Sequence, residues 1–128
     1  SCAETAEPVT GAASVADSLV VEAPRAARLA LRQVRATGGA GVAVDDEAIV
    51  AAIRRLASAA GVFAEPAAAA ALAGLESALE RKLLDRAERA VLLVTGSGLK
   101  DVPAAARSVT IPEPVTADLD EALSSLRG

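Results

Sequence analysis

AVLLVTGSGLKD, at residues 90–101, is the segment on which the predicted fold of this chain depends. It opens with five consecutive apolar residues, as is typical of a parallel strand covered on both faces. The strand is followed at once by the glycine-containing stretch TGSGLKD. Ligands of open α/β sheets bind beyond the carboxyl ends of the strands, where glycine lets the backbone approach closely. We therefore predict an interior strand that ends at a functional loop.

Two further short segments ahead of it have strand character. GVAV at residues 41–44 fits a buried strand, and SVADSLVV at residues 14–21 fits a brief strand or an extended approach. Between them, Pro24 is suited to the first position of a helix. The predicted apolar face of this helix consists of Ala27, Leu31 and Val34, and Gly38 and Gly39 end it.

Two helices are predicted between residues 41–44 and 90–94. Acidic residues 45–47 suit the start of the first one. Its apolar positions are Ile49, Ile53, Leu56 and Ala60, and Gly61 suits a left-handed C-cap. Pro66 opens the second one behind Glu65, and its sequence AAAAALAGLESAL is almost entirely small and apolar for two turns, which predicts a buried helix.

The order helix, strand, helix, helix, strand predicts an α/β fold, a partial parallel sheet with packed helices. We predict an irregular segment at residues 1–14, an α/β portion at 15–106, and an extended tail at 107–128. Leu119, Leu123 and Leu126 indicate a short helix at the end of that tail. Two or three short strands make a poor sheet alone, so these surfaces are expected to pack in a larger core.

Composition excludes several classes of function. The net charge is −4 with charges of both signs interspersed, so nucleic acid is not an expected partner. No apolar run reaches the roughly 18 residues of a membrane span, and a cytoplasmic location is expected. The absence of histidine excludes Ser-His-Asp catalysis and histidine-bound zinc within this chain, and the single Cys2 excludes an internal disulfide. A start at Ser1 fits a position inside a longer chain, tag removal or loss of Met.

Thr95 and the two glycines after it are the first candidate site. A hydroxyl at a strand end can bond a heteroaromatic ring nitrogen without forcing a proton onto it. The alternative is that Gly96 and Gly98 simply turn the chain, and the residues alone leave both interpretations open. Glu65 is the second candidate, between an apolar segment and a helix start. It is either a catalytic carboxylate or a plain N-cap.

Residues 38–75 and 90–105 resemble the carboxy-terminal part of threonine synthases, which belong to the pyridoxal-phosphate enzymes of fold type II. The resemblance covers about residues 15–106. TG-x-GLKD is the more specific motif, whereas GVF-x-EPA-x-AA is shared with threonine dehydratases. Ser97 stands where family members often carry His or Asn, and Ala68 and Ala69 stand where Gly or Ser is common.

The resemblance implies a role for each candidate residue. Thr95 would be the partner of the pyridine nitrogen, with Gly96, Ser97 and Gly98 binding beside the ring. Glu65 would be the catalytic-site residue near the floor of the site. The expected cofactor is pyridoxal phosphate, bound in the complete enzyme.

The family's Schiff-base lysine and its phosphate-binding loop lie upstream of the matched region. Lys82 and Lys100 match neither, so we predict that this chain alone forms no covalent link to the cofactor and is inactive alone. The implied complete enzyme is a lyase of threonine biosynthesis that converts O-phospho-L-homoserine and water to L-threonine and phosphate. Its expected partners are an amino-terminal part of the same enzyme or a homo-oligomer, and a small amino-acid substrate. The alternatives are a threonine or serine dehydratase and a stand-alone interaction or regulatory module.

Overall fold

The computed structural model describes residues 7–111, 114 and 117–125. The helices in that part of the chain are α1 (Ala27–Ala36), α2 (Asp46–Ala60), α3 (Pro66–Glu80), α4 (Val102–Ala106) and α5 (Leu119–Ser125). Two short 3-10 helices, Asp17–Leu19 and Gly98–Lys100, lie between them. The largest contact is between α2 and α3, which together build most of the core.

The prediction of a partial parallel sheet is wrong. Over the described ranges there is no strand, and β-type pairing is confined to one antiparallel bridge between Ala64 and Ser97. Residues 14–21 hold a 3-10 helix, while residues 41–44 and 90–94 are neither helix nor strand. An apolar run specifies an extended segment but not the neighbour that would pair with it. Within the described chain, no backbone hydrogen bond is made by residues 90–94.

Helix α2 follows its sequence signals closely. The side chain of Asp45 caps it by accepting a hydrogen bond from the N–H of Ala48 at 2.7 Å. Gly61 ends it in the left-handed conformation at φ 65°, which confirms the predicted C-cap. Its buried residues are Ile49, Ala52, Ile53 and Leu56. The predicted apolar face is confirmed except at Ala60, which is exposed.

Helix α3 supplies the other half of the core with small side chains. Pro66 occupies its first turn, as predicted, because the missing N–H has no partner to lose there. The buried residues of α3 are Pro66, Ala68, Ala69, Ala73 and Ala78. On the solvent side, an ion pair between Arg55 and Glu76 joins the helix to α2. Alanine therefore serves mainly to let the two helices pack closely.

Helix α1 begins later than predicted and buries nothing. Pro24 lies in a turn, and its carbonyl accepts a hydrogen bond from the N–H of Ala27 at 3.1 Å. The helix starts only at Ala27. The helix has no buried residue, and Val34 on its predicted apolar face is 39% exposed. Its predicted end is confirmed, since the helix stops before Gly38, which has φ 66°.

Helix α5 confirms the predicted short helix of the tail. The carboxylate of Asp118 accepts hydrogen bonds from the N–H groups of Asp120 and Glu121, which suits a helix start. Leu119 is 73% exposed, so the helix does not bury the apolar positions that indicated it. Leu126, the third of the predicted leucines, lies outside the described residues, as does Cys2.

Candidate functional site

The loop at residues 95–98 lies alongside residues 63–65, just ahead of α3. The N–H of Glu65 donates to the carbonyl of Gly96 at 3.0 Å, and the N–H of Gly98 donates to the carbonyl of Phe63 at 2.9 Å. These two bonds flank the Ala64–Ser97 bridge. The structure thus brings together the predicted candidates Glu65, Gly96, Ser97 and Gly98, although Glu65 and Gly96 are 31 positions apart in the sequence.

Both glycines of the loop lie in close contact with a neighbouring side chain, the flexible end of Glu65 at Gly96 and the ring of Phe63 at Gly98. A Cβ added to Gly96 would lie 2.0 Å from Oε1 of Glu65, and one added to Gly98 would lie 2.5 Å from Cε2 of Phe63. Real Cβ atoms essentially never lie so close to another heavy atom, so the neighbouring side chain would have to shift. The interpretation that these glycines only turn the chain is therefore incomplete, because each one also admits a neighbouring side chain.

Glu65 holds the N-cap position of α3 without capping it through its side chain. Its backbone carbonyl accepts hydrogen bonds from the N–H groups of Ala68 and Ala69. Its side chain is only 12% exposed, and its carboxylate forms an ion pair with Nζ of Lys100 at 2.8 Å. The carboxylate is therefore turned toward the loop, which argues against the interpretation of Glu65 as a plain side-chain cap.

Lys100 is a site residue that sequence reasoning missed. The sequence excludes it as the Schiff-base lysine and predicts no other role for it, whereas in the structure its Nζ pairs with the Glu65 carboxylate. The 3-10 helix Gly98–Lys100 turns the chain back, and the N–H of Lys100 donates to the carbonyl of Ser97 at 3.1 Å. The available signal was the position of Lys100 in the GLKD string, just after the loop that contacts Glu65.

The far end of the loop is held by local side-chain bonds. The hydroxyl of Ser97 accepts a hydrogen bond from the N–H of Leu99 at 3.3 Å. The carboxylate of Asp101 accepts one from the N–H of Ala104 at 3.1 Å and so caps α4. Both ends of the 3-10 helix are thereby fixed. The Ser97 hydroxyl is engaged by the backbone of Leu99, two residues further along the same segment.

Thr95 is exposed, and the segment before it lies at the surface. Val91 and Leu93 are 80% and 73% exposed, so the prediction that Thr95 follows an interior strand is wrong for the described chain. Among the described residues, no hydrogen bond engages the Thr95 hydroxyl. That group is free to bond a ligand, and its role toward a ring nitrogen stays a prediction.

A cavity of about 400 Å³ opens beside the ion pair of Glu65 and Lys100. Its remaining walls come from Ala16, Asp17, Ser18, Pro66, Ala67, Asp101 and Pro103. Thr95 is not among the lining residues. The lining carries three carboxylates, Asp17, Glu65 and Asp101, against the single ammonium group of Lys100.

No group of three side chains able to hold a metal ion occurs in the described ranges. The helices found in residues 7–111 and 117–125 are all too short or too polar to cross a membrane.

Residues 1–96 match the model of the pyridoxal-phosphate dependent enzyme family, and the chain belongs to that family. Among its relatives, the threonine synthase of Methanocaldococcus jannaschii is 40% identical over 107 residues, which cover 84% of this chain and 26% of that protein. The threonine synthase of Mycobacterium leprae is 35% identical, covering 88% of this chain and 31% of that protein. These matches confirm the resemblance seen in the sequence.

A third relative, the threonine synthase of Methanosarcina acetivorans, is 34% identical over 115 residues, covering 90% of this chain and 28% of that protein. The chain thus spans about a quarter to a third of the length of these three relatives.

The described residues fit one part of a pyridoxal-phosphate site. Thr95 offers an exposed hydroxyl, and the backbone beside it is held rigidly by its bonds to residues 63–65. These same bonds engage the carbonyl of Gly96 and the N–H of Gly98, so the N–H of Gly98 does not remain for a ligand. Lys100 is engaged with Glu65. These residues could therefore lie beside the ring of the cofactor, whereas its phosphate would be bound by residues outside this loop.

Proposed function

We propose that this chain forms part of a threonine synthase, which converts O-phospho-L-homoserine and water to L-threonine and phosphate. The observation that carries the proposal is the TGSGLKD loop, folded against residues 63–65 with the Thr95 hydroxyl exposed and unbonded. Similarity to threonine synthases over most of the chain supports it. Pyridoxal phosphate, when bound, supplies an electron sink for the reacting amino acid.

In this proposal, Thr95 holds the ring nitrogen of the cofactor. Its hydroxyl would donate a hydrogen bond to the unprotonated nitrogen, because an alcohol does not transfer its proton to the ring as a carboxylic acid would. Gly96, Ser97 and Gly98 would lie beside the ring, as their attachment to residues 63–65 keeps the loop in place.

Glu65 would shape the floor of the site. Its carboxylate fills the space above Gly96, which only a residue without a side chain leaves open. Pairing with Lys100 offsets part of the cost of taking this carboxylate out of water. The Glu65 carboxylate would thus occupy a fixed position next to Gly96, the residue that follows Thr95.

We further propose that the lysine that binds the cofactor covalently comes from outside these residues, and that the chain is inactive alone. Lys100 is paired with Glu65, and Lys82 lies just beyond the end of α3, away from the loop. An amino-terminal part of the same enzyme, or another subunit, would supply the lysine and the phosphate site. A cytoplasmic location, a lyase activity and fold type II belong to the same proposal.

The test is a chimaera in which residues 15–106 replace the matching segment of the Methanocaldococcus jannaschii enzyme. Phosphate release from O-phospho-L-homoserine and 2-oxobutanoate release from threonine are both measured. The proposal predicts phosphate release, whereas a dehydratase would give 2-oxobutanoate. A chimaera that folds and binds pyridoxal phosphate but releases neither product would favour a non-catalytic interaction or regulatory module.

Two variants at Thr95 then test the hydroxyl. Thr95→Val keeps the shape and removes the hydrogen bond, so kcat of the chimaera should fall about ten-fold, the value of one good hydrogen bond. Thr95→Ser keeps the hydroxyl and should retain most of the activity. Equal losses in both variants would contradict a role for the hydroxyl.

A further inference from the structure

We propose that Lys100 is a positioning residue of this site, holding the Glu65 carboxylate over Gly96 and thereby fixing the loop that carries Thr95. Its meaning for catalysis rests on the proposed function, whereas the contacts themselves do not. The sequence alone does not predict a contact between Lys100 and Glu65, which are 35 positions apart.

The contacts form a closed clamp around the loop. The N–H of Glu65 donates to the carbonyl of Gly96 at 3.0 Å, which attaches the start of the loop to α3. The carboxylate of the same residue lies over Gly96, where an added Cβ would be 2.0 Å from Oε1. Lys100 then reaches back from the end of the loop to bind that carboxylate at 2.8 Å. Gly96 in the loop and Lys100 just after the loop are therefore both attached to Glu65.

Charge explains why the clamp needs a cation. The Glu65 side chain is only 12% exposed, and two further carboxylates, those of Asp17 and Asp101, line the same cavity. Lys100 is the one positively charged residue among the described residues that line it. Without its ammonium group, no cation among these lining residues would offset the charge of the largely buried Glu65 carboxylate, which would then turn toward solvent.

If the Glu65 carboxylate moved away, the space above Gly96 would be left empty. The loop would then be held by its two backbone bonds alone, and the residue before Gly96 would be less restrained. That residue is Thr95, whose hydroxyl is the group proposed to contact the cofactor ring. Lys100 thus acts on the ring contact through Glu65 and does not itself touch the cofactor.

Amide hydrogen exchange of the 128-residue chain tests the clamp without any cofactor. Lys100→Met removes the charge at similar length, and exchange at the amides of Glu65 and Gly98 should rise two- to five-fold, the range given by a partly exposed ion pair. Lys100→Arg should return it to the original rate. Lys82→Met, which removes the other lysine at an exposed position, should leave both amides unchanged.

The amide of Ile53 within α2 serves as the reference for global stability. Unchanged exchange at Glu65 and Gly98 in Lys100→Met would overturn the proposal, and so would an equal rise at Ile53. In the active chimaera, Lys100→Met should lower kcat while leaving KM for O-phospho-L-homoserine unchanged, with recovery in Lys100→Arg. If the chimaera releases no phosphate, the proposed function fails, and the exchange rates still decide the role of Lys100.

Discussion

The ring of Phe63 occupies the space that a side chain at Gly98 would need, with Cε2 only 2.5 Å from the position of an added Cβ. The same two residues are joined by a backbone hydrogen bond of 2.9 Å. The ring therefore lies against the backbone of the loop, while 39% of Phe63 remains exposed. A side chain at residue 98 would therefore force the Phe63 ring or the loop to shift.

Gly98→Ala should lower the free energy of unfolding by about 1–3 kcal/mol, because the ring must move or the loop must shift. Phe63→Leu should recover part of that loss when combined with Gly98→Ala, since the smaller side chain leaves room for the new methyl group. Urea unfolding of the two single variants and the double variant measures the coupling. Strictly additive effects would show that the two residues do not meet.

Gly74→Ala is the matched control for the glycine substitutions and a prediction of its own. Gly74 lies within α3, and an added Cβ there meets nothing within 4 Å. Alanine should therefore raise the free energy of unfolding by about 0.5–1 kcal/mol, because glycine loses more backbone freedom in a helix. The urea midpoint should rise without a change in slope. A lower midpoint would mean that residue 74 packs against something.

Asp45→Ala should remove the cap of α2. The carboxylate accepts a hydrogen bond from the N–H of Ala48 at 2.7 Å, and its loss should cost about 1 kcal/mol in the free energy of unfolding. Asp45→Ser keeps an acceptor at the same position and should cost much less. Thermal unfolding followed by circular dichroism compares the two. Equal destabilisation by alanine and serine would rule out capping as the reason.

The attachment of residues 14–16 to α2 should depend on pH. The Asp46 carboxylate accepts hydrogen bonds from the Ser14 hydroxyl at 2.6 Å and the Val15 N–H at 2.9 Å, which hold the pKa of Asp46 below its ordinary 3.8. A lowered pKa in the folded chain adds stability that is present above pH 3.8 and is lost as the pH falls through the lower folded value.

Exchange at the Val15 amide should therefore rise as the pH falls below 3.8, beyond the change expected for an unprotected amide. Asp46→Asn should show weaker protection at neutral pH and no such dependence. Glu47→Gln, also in the first turn of α2, is the control and should keep the dependence. The same pH response in Asp46→Asn as in the parent chain would assign the effect to another group.

The two central helices could be predicted from the sequence because their signals are local. Asp45 caps α2 through a residue three positions away, and Gly61 ends it through its own backbone freedom. Pro66 at the start of α3 acts in the same way. The bounds of such helices depend on neighbours within one turn, so sequence spacing is sufficient to find them.

The prediction of a sheet was wrong because the pairing of strands depends on residues that are distant in the sequence. Residues 90–94 have the composition of an interior strand, but composition does not state which segment lies beside them. Lys100 was missed for the same reason, since its ion pair with Glu65 exists only after residues 63–65 and 95–98 meet. Glu65 was placed correctly at the start of α3, while the direction of its carboxylate depended on that distant partner.

The exposed apolar segment at residues 90–94 has a practical consequence for handling the chain. Its N–H and C=O groups form no backbone hydrogen bond within the described chain, and it exposes Val91 and Leu93, so further copies can pair with it and stack. Samples should turn cloudy or form fibrils as concentration rises, and dilute solutions with a mild detergent should keep the chain dispersed. A lysine placed at Leu93, which is already 73% exposed, would act as a gatekeeper against such stacking.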